Sequence, residues 1–220
     1  MFAGFVHPDL AFMTDLSKSG LLWLLLETIL ISFLGTFLGA LLAFLISLLN
    51  TKRLMPFPVS LFFRFVELVI RAVPSLIYGL IFVRVTGQGA FTGALTIAVC
   101  SVGLITKRFT QAVDALDIRA YKGLRAMGTS WFGSVRYGLM PQLGPAYVSA
   151  VLYRFDVNIR EASILGLAGA GGIGAPLIFA MNHYDWATAG AISVGLIVIV
   201  WLIDILSVSL RRKVFPLTPR

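Results

Sequence analysis

The chain has 220 residues, 58% of them hydrophobic and only 13% charged, with a mean hydropathy of +0.91. Globular domains run at about half apolar and a quarter charged, so this composition excludes an ordinary soluble domain and points to lipid as the solvent. The formal charge of +8 and pI near 10.1 are those of a membrane protein with basic loops rather than of a nucleic-acid-binding surface.

Residues 1–20 read as an extracytoplasmic segment. His7, Asp9 and Asp15 precede the first long apolar run, and no short apolar core ends in a small-residue cleavage site, so the first span is expected to stay in the mature chain. Residues 21–210 read as one membrane domain, because several runs approach or exceed the roughly 20 residues that cross a hydrocarbon core of about 30 Å. The spacing predicts a first span over Leu21–Leu49, followed by Asn50, Thr51, Lys52 and Arg53. A second, over Val59–Val83, is interrupted by Pro74 and carries Arg64, Glu67 and Arg71. The third covers Phe91–Thr106 and contains the single cysteine, Cys100, which reads as a small packing residue. The polar stretch 107–141 breaks the pattern before a fourth span over Pro145–Leu165. A glycine-rich stretch and a short apolar piece, Ala175–Met181, precede the fifth span, Trp186–Leu206, and a tail over 211–220. The fold expected is therefore an all-α membrane protein of about five transmembrane helices.

Lys52, Arg53, Lys107, Arg108, Arg119, Lys122, Arg125, Arg136, Arg211, Arg212, Lys213 and Arg220 fall in three segments. An odd number of spans puts those segments on one side only with the N-terminus outside and the C-terminus inside. Within the polar stretch, Val113–Met127 has helical apolar spacing, Gly128-Thr129-Ser130 is a breaker with capping potential, and a second breaker spans Gly138 to Pro141. Such an amphipathic helix–break–helix either lies on the membrane surface or docks in a groove of a soluble partner.

Gly169, Gly171, Gly172 and Gly174 fit the glycine-rich pattern of dinucleotide sites, but the preceding run is a membrane span and no acid follows at the required distance. The segment reads instead as a tight turn or part of a gate, since irregular backbone at membrane depth needs protein or water around it. No phosphate-loop motif of the Walker type is present, and His7 and His183 have no ligands at metal spacing, so neither a motor nor a metal site nor an enzyme is expected on this chain.

Charges at membrane depth are costly and face a protein interior or a pathway. Arg64, Glu67 and Arg71 share one helical stripe; Arg154, Asn158 and Glu161 share a face of the fourth span, with Asp156 and Arg160 paired on another. Counting rise per residue puts Arg71 and Arg154 at similar depth. Two roles stay open: mutual neutralisation that glues helices together, for which Arg64, Glu67, Asp156 and Glu161 are the candidates, or a positive pathway for an anion through Arg71, Arg154 and Arg160.

The polar stretch also resembles the signature loop of permease subunits of type I ATP-binding-cassette importers, which reads Glu-Ala-Ala, three residues, Gly, nine residues, Ile-x-Leu-Pro. Here the frame is Lys122-Gly123-Leu124, then Gly128, then Gly138-Leu139-Met140-Pro141, with Gly and Pro in register and Lys122 where the family has Glu. The stretches RAMGTSWFGSVRYGLMPQL (Arg125–Leu143), LYRFDVNIREASILGLAGAGGIG (Leu152–Gly174) and RFVELVIRAVPSLIYGLIFV (Arg64–Val83) look like the phosphonate/phosphate permease branch of that family. The resemblance implies a homodimer in a bacterial inner membrane. It also implies a cytoplasmic ATPase dimer that holds the ATP and Mg, and an extracytoplasmic binding protein that delivers a phosphonate, phosphate or phosphite. Lys122, Gly128, Thr129, Ser130, Trp131 and Pro141 would belong to the loop that couples to the ATPase, with the coupling helix over about Gly128–Gly138. The alternatives are a permease of the same kind for methionine or another small solute, and a gradient-driven secondary transporter, whose inverted repeats the sequence lacks.

Overall fold

Pro74 has no N–H to donate and forces the residue before it out of the helical region, and a sharp bend sits there. Val73 is extended (φ −91°, ψ 124°), and the helices on either side meet at 86°. The computed structural model describes residues 9–15, 17 and 19–214; the expectations for His7, Arg220 and the last part of the tail lie outside the described residues. Among the described residues every regular element is helical: α1 (Leu10–Thr14), α2 (Leu21–Asn50), α3 (Phe57–Ala72), α4 (Ser75–Thr86), α5 (Ala90–Ala115), α6 (Arg119–Ala126), α7 (Trp131–Ser134), α8 (Met140–Leu167), α9 (Gly174–Asn182) and α10 (Trp186–Val214). α2, α5 and α10 are long and apolar enough to cross a membrane, and α3 with α4 qualifies as a bent pair. α8, at 28 residues, has the length, but its four charges dilute its hydropathy.

The bent pair travels the length of the bundle. The Arg64 Nε donates to the Asn50 carbonyl at one end (3.2 Å), Gly79 lies against Leu165 and Thr96, and beyond α4 the Gly89 N–H reaches the Gly169 carbonyl at the other end (3.0 Å). The pair is thus a broken traverse rather than a loop that returns to its starting side.

Two local expectations change. The segment Val113–Met127 is not one helix: α5 runs on through Lys107 and Arg108 to Ala115, and the chain breaks at 116–118. Asp117 Oδ1 accepts the Arg119 N–H there (2.9 Å), a side-chain turn that starts α6 afresh. Gly138 to Pro141, in contrast, does not break the helix. A π-helical turn, Val135–Leu139, joins α7 to α8, and the Met140 N–H donates back to the Val135 carbonyl. The wide turn hands the chain on so that Pro141 falls in the first turn of α8, where a missing N–H is harmless.

α2 and α5 lie parallel at the centre and touch through small residues. A Cβ on Gly35 would stand 2.7 Å from the Ala94 carbonyl, and one on Gly39 2.6 Å from Ser101 Cβ. Gly35 and Gly39 are four apart, as are Ala94 and Ala98 opposite, which is how membrane helices bring their backbones together. α8 runs antiparallel across both: the Tyr147 hydroxyl donates to the Ala40 carbonyl, and Ser32 Oγ donates to the Asn158 carbonyl (3.2 Å). The outer face of α2 (Phe33, Phe37, Leu41, Leu45) and that of α10 (Ile197, Trp201, Leu202) stay about half exposed, as a lipid-facing belt requires.

Arg53, Arg108 and Arg211 gather at one end. Arg53 Nη1 donates to the Leu116 carbonyl (2.6 Å), and Arg108, stacked over Tyr153 at 4.0 Å, lines one cleft with Arg211. The glycine-rich turn closes the opposite end.

Replacing Gly39 by Ala forces α2 and α5 apart, and overpacking of this kind costs about 1–3 kcal/mol. Gly123, inside α6 with open space where its Cβ would go, is the control, because Gly→Ala there gains about 0.5–1 kcal/mol. Thermal unfolding in detergent should lower the midpoint for Gly39→Ala and hold or raise it for Gly123→Ala.

Candidate functional site

The α3–α4 bend leaves a cleft of about 170 Å³ whose lining includes Arg71, Pro74, Cys100, Arg154 and Glu161. Pro74 opens it, α5 floors it and α8 supplies the far wall. Two of the three arginines expected on a pathway, Arg71 and Arg154, therefore face the same space from different helices.

They are held differently. Arg154 is 5% exposed at its side chain and makes a two-pronged pair with Glu161, Nη1 to Oε1 at 3.1 Å and Nη2 to Oε2 at 2.8 Å; its Nε donates to Ser101 Oγ at 3.4 Å. Such forked pairs fix orientation as well as charge. Beside it, Asn158 Nδ2 donates to Thr36 Oγ1 (2.6 Å) and to Ser101 Oγ (2.8 Å), tying α8 to α2 and α5 at one level. Arg71 makes one longer contact, Nη1 to Glu67 Oε1 at 3.3 Å, and is 27% exposed. Its Nε is buried without a partner.

Arg160, the third expected pathway residue, turns away. It pairs with Asp156 (2.7 Å), is half exposed, and lines a separate groove with Trp201 and Asp204 of α10. Of the residues expected to be structural, Glu161 belongs to the cleft itself, and Glu67 links it to the basic end. Asn50 Nδ2 donates to Glu67 Oε2 (2.6 Å) and to Thr110 Oγ1 (3.2 Å), while Arg64 reaches Asp114 at 3.4 Å.

The glycine-rich segment is a tight turn wedged among three helices. Gly169, Gly171 and Gly172 have φ of +88°, +77° and +72°, and a Cβ on Gly174 would stand 2.2 Å from the Ser163 carbonyl. The Ile173 N–H donates to Thr28 Oγ1 (3.0 Å), fastening the turn to α2. At the basic end, Lys122 is exposed on α6. Gly128, at φ +82°, ends that helix, with the Thr129 N–H donating to the Leu124 carbonyl (3.2 Å). Ser130 Oγ accepts the Gly133 N–H (3.2 Å) and caps α7, and Trp131 packs on the cluster around Phe109 and Leu139. Outside the spans, Asp117 is held below the usual carboxylate range by the Arg119 N–H. Sequence reasoning missed Asn50, Ser101, Thr36 and Asp114. The one visible signal was Thr28, Ser32 and Thr36, a four-residue polar repeat inside the most apolar run of the chain.

Residues 35–218 match the family described as "Binding-protein-dependent transport system inner membrane component". The phosphate-import permease protein PhnE of Mycolicibacterium smegmatis is 38% identical over 146 residues, 66% of this chain but only 27% of that protein, so the chain spans about a quarter of that relative. The phosphite transport system permease protein PtxC of Stutzerimonas stutzeri is 30% identical over 189 residues, covering 86% of this chain and 69% of that one. Among solved structures, an inward-facing form of the MetNI methionine ABC transporter superposes with a TM-score of 0.75 at 20% identity, over 88% of this chain and 97% of that one. At that identity the likeness concerns the fold.

Removing one member of a buried ion pair strands the other, at about 3–5 kcal/mol, whereas replacing both by apolar residues is often neutral. Glu161→Gln should therefore lower the unfolding midpoint sharply, and adding Arg154→Met should recover most of the loss. Equal losses in the single and double variants would count against the pairing.

Proposed function

Because the chain belongs to the family of binding-protein-dependent transport system inner membrane components, we propose that it is the membrane-spanning permease of an ATP-driven importer for a phosphorus oxyanion: phosphonate, phosphate or phosphite. The observation that carries the substrate class is the cleft at the α3–α4 bend. Two arginines from different helices face it, and one of them, Arg71, keeps a buried donor unused. The relatives named for phosphate and phosphite transport support the same class.

In this reading five traverses (α2, the α3–α4 pair, α5, α8 and α10) cross a bacterial inner membrane, with the N-terminus outside and the basic end in the cytoplasm. A second copy completes the pathway. A cytoplasmic ATPase dimer carries ATP and Mg, and α6 with α7 presents the docking surface. An extracytoplasmic binding protein delivers the anion at the glycine-rich end. The chemistry is electrostatic throughout: Arg154, fixed by Glu161 and Ser101, sets the potential of the cleft, and Arg71 offers exchangeable donors. The carboxylates keep net attraction low enough for the anion to leave.

Hydrogen bonds to charged groups contribute about 1.5–3 kcal/mol, so Arg71→Ala should lower ATP-driven uptake of phosphite or methylphosphonate in proteoliposomes by about tenfold or more. Arg71→Lys should recover part of it. Unchanged uptake, or uptake of methionine in place of any oxyanion, would overturn the assignment. At the docking surface, Lys122→Glu should change substrate-stimulated ATP hydrolysis while the complex still copurifies; unaltered hydrolysis would remove Lys122 from coupling.

A further inference from the structure

The charged residues of α3 form a graded series along one stripe. Arg71 lies at the cleft, Glu67 one turn below, and Arg64 seven residues below Arg71, about 10 Å along the axis at 1.5 Å per residue. Each contact in the series is loose: Arg71 to Glu67 at 3.3 Å and Arg64 to Asp114 at 3.4 Å, with the arginine side chains 27% and 36% exposed. The pair across the cleft, Arg154 to Glu161, is two-pronged and shorter, and its arginine is 5% exposed. Glu67 itself is 11% exposed and is held from behind by Asn50 Nδ2 at 2.6 Å. Two buried polar atoms next to this carboxylate lack partners: Arg71 Nε, a donor, and Asn50 Oδ1, an acceptor. A hydrogen-bearing oxyanion supplies what both lack, oxygens for the first and an O–H for the second.

Resting on the oxyanion reading above, we propose that α3 carries a two-station anion relay. Arg71 receives the anion at the cleft, and Arg64 receives it next, towards the basic end. Glu67 between them is the positioning counter-ion that competes for Arg71 and so releases the anion onward. The carboxylate is fixed by Asn50 and cannot follow the anion, so each transfer exchanges one loose ion pair for another and leaves no arginine without a negative partner. Arg154 stays locked throughout and takes no part in the exchange.

The test uses the permease–ATPase complex in proteoliposomes with its binding protein for uptake, and the detergent-purified complex alone for equilibrium binding. The probes are labelled phosphate, phosphite and methylphosphonate. With its competitor removed, Glu67→Gln should bind the anion about tenfold more tightly while uptake falls by a similar factor. Arg64→Gln should slow uptake without changing binding at the first station, and Arg64→Lys should recover part of the rate. Unchanged or weakened binding in Glu67→Gln overturns the relay, as does normal uptake in Arg64→Gln. Loss of assembly in both variants also overturns it, because the pairs are then structural. Failure of the unaltered complex to take up any of the three anions would instead overturn the substrate class on which the relay rests.

Discussion

The close approach of α2 and α5 is the constraint on which the rest of the bundle depends. A hydrogen at positions 35 and 39 lets the two backbones meet, and the same contact sets Ser101 directly against Gly39. Ser101 then serves two partners from α8, the Asn158 amide and the Arg154 guanidinium. Thr36, next to Gly35 and three residues before Gly39, holds the same amide from the other side. Widening the α2–α5 seam by the thickness of a methyl group would separate the hydroxyls that share Asn158 and would leave Arg154 with Glu161 alone. Hydrophobic burial does not discriminate strongly between helix arrangements in lipid, since lipid tails are as apolar as leucine. Van der Waals fit at small residues and a few buried polar contacts therefore decide the geometry.

Two arginines on one cleft end up with opposite character because of what stands behind each. Arg154 emerges from a helix packed on two sides, and its guanidinium is buried in a forked pair with Glu161, where electrostatic attraction is less screened than in open water. Arg71 emerges at the end of a helix broken by Pro74, one residue pair from the bend, with its methylene groups against Gly103 and its head in a single long contact. A fixed positive charge facing an exchangeable one suits a solute that must be attracted and then let go.

Much of this was legible before any coordinates. Apolar run lengths located the helices. Pro74 marked the break, and the stripe of Arg64, Glu67 and Arg71 placed charges on one face of α3. Ser130 showed the start of α7 because an N-cap is a local signal, written in one residue and its neighbours. The roles of Asn50 and Asp114 were not legible, since each acquires its meaning from a partner on a different helix, 17 residues away for Asn50 with Glu67 and 50 for Asp114 with Arg64. Gly138 and Pro141 misled for a related reason. Both residue types disfavour a regular helix, but a π turn absorbs them without ending it, and that choice depends on the packing of Leu139 and Leu143 into the cluster around Phe109.

How α3 and α4 are fastened ties the charges to movement. Of the 16 residues of α3 only Ser60 is buried, and of the 12 of α4 only Gly79, whereas α2 and α5 bury a large part of their length. Polar contacts therefore carry a share of what joins α3 to its neighbours: Arg64 to Asp114 and to the Asn50 carbonyl, and Glu67 to the Asn50 amide. Elements with few buried apolar contacts are the ones that open at low free-energy cost. In the proposed relay, an anion that competes for Arg71 or Arg64 would compete for the same groups that dock the helix. On the proposed relay, loosening an ion pair and loosening the helix that carries it would be one event, at a helix that ends in the 86° bend at Pro74.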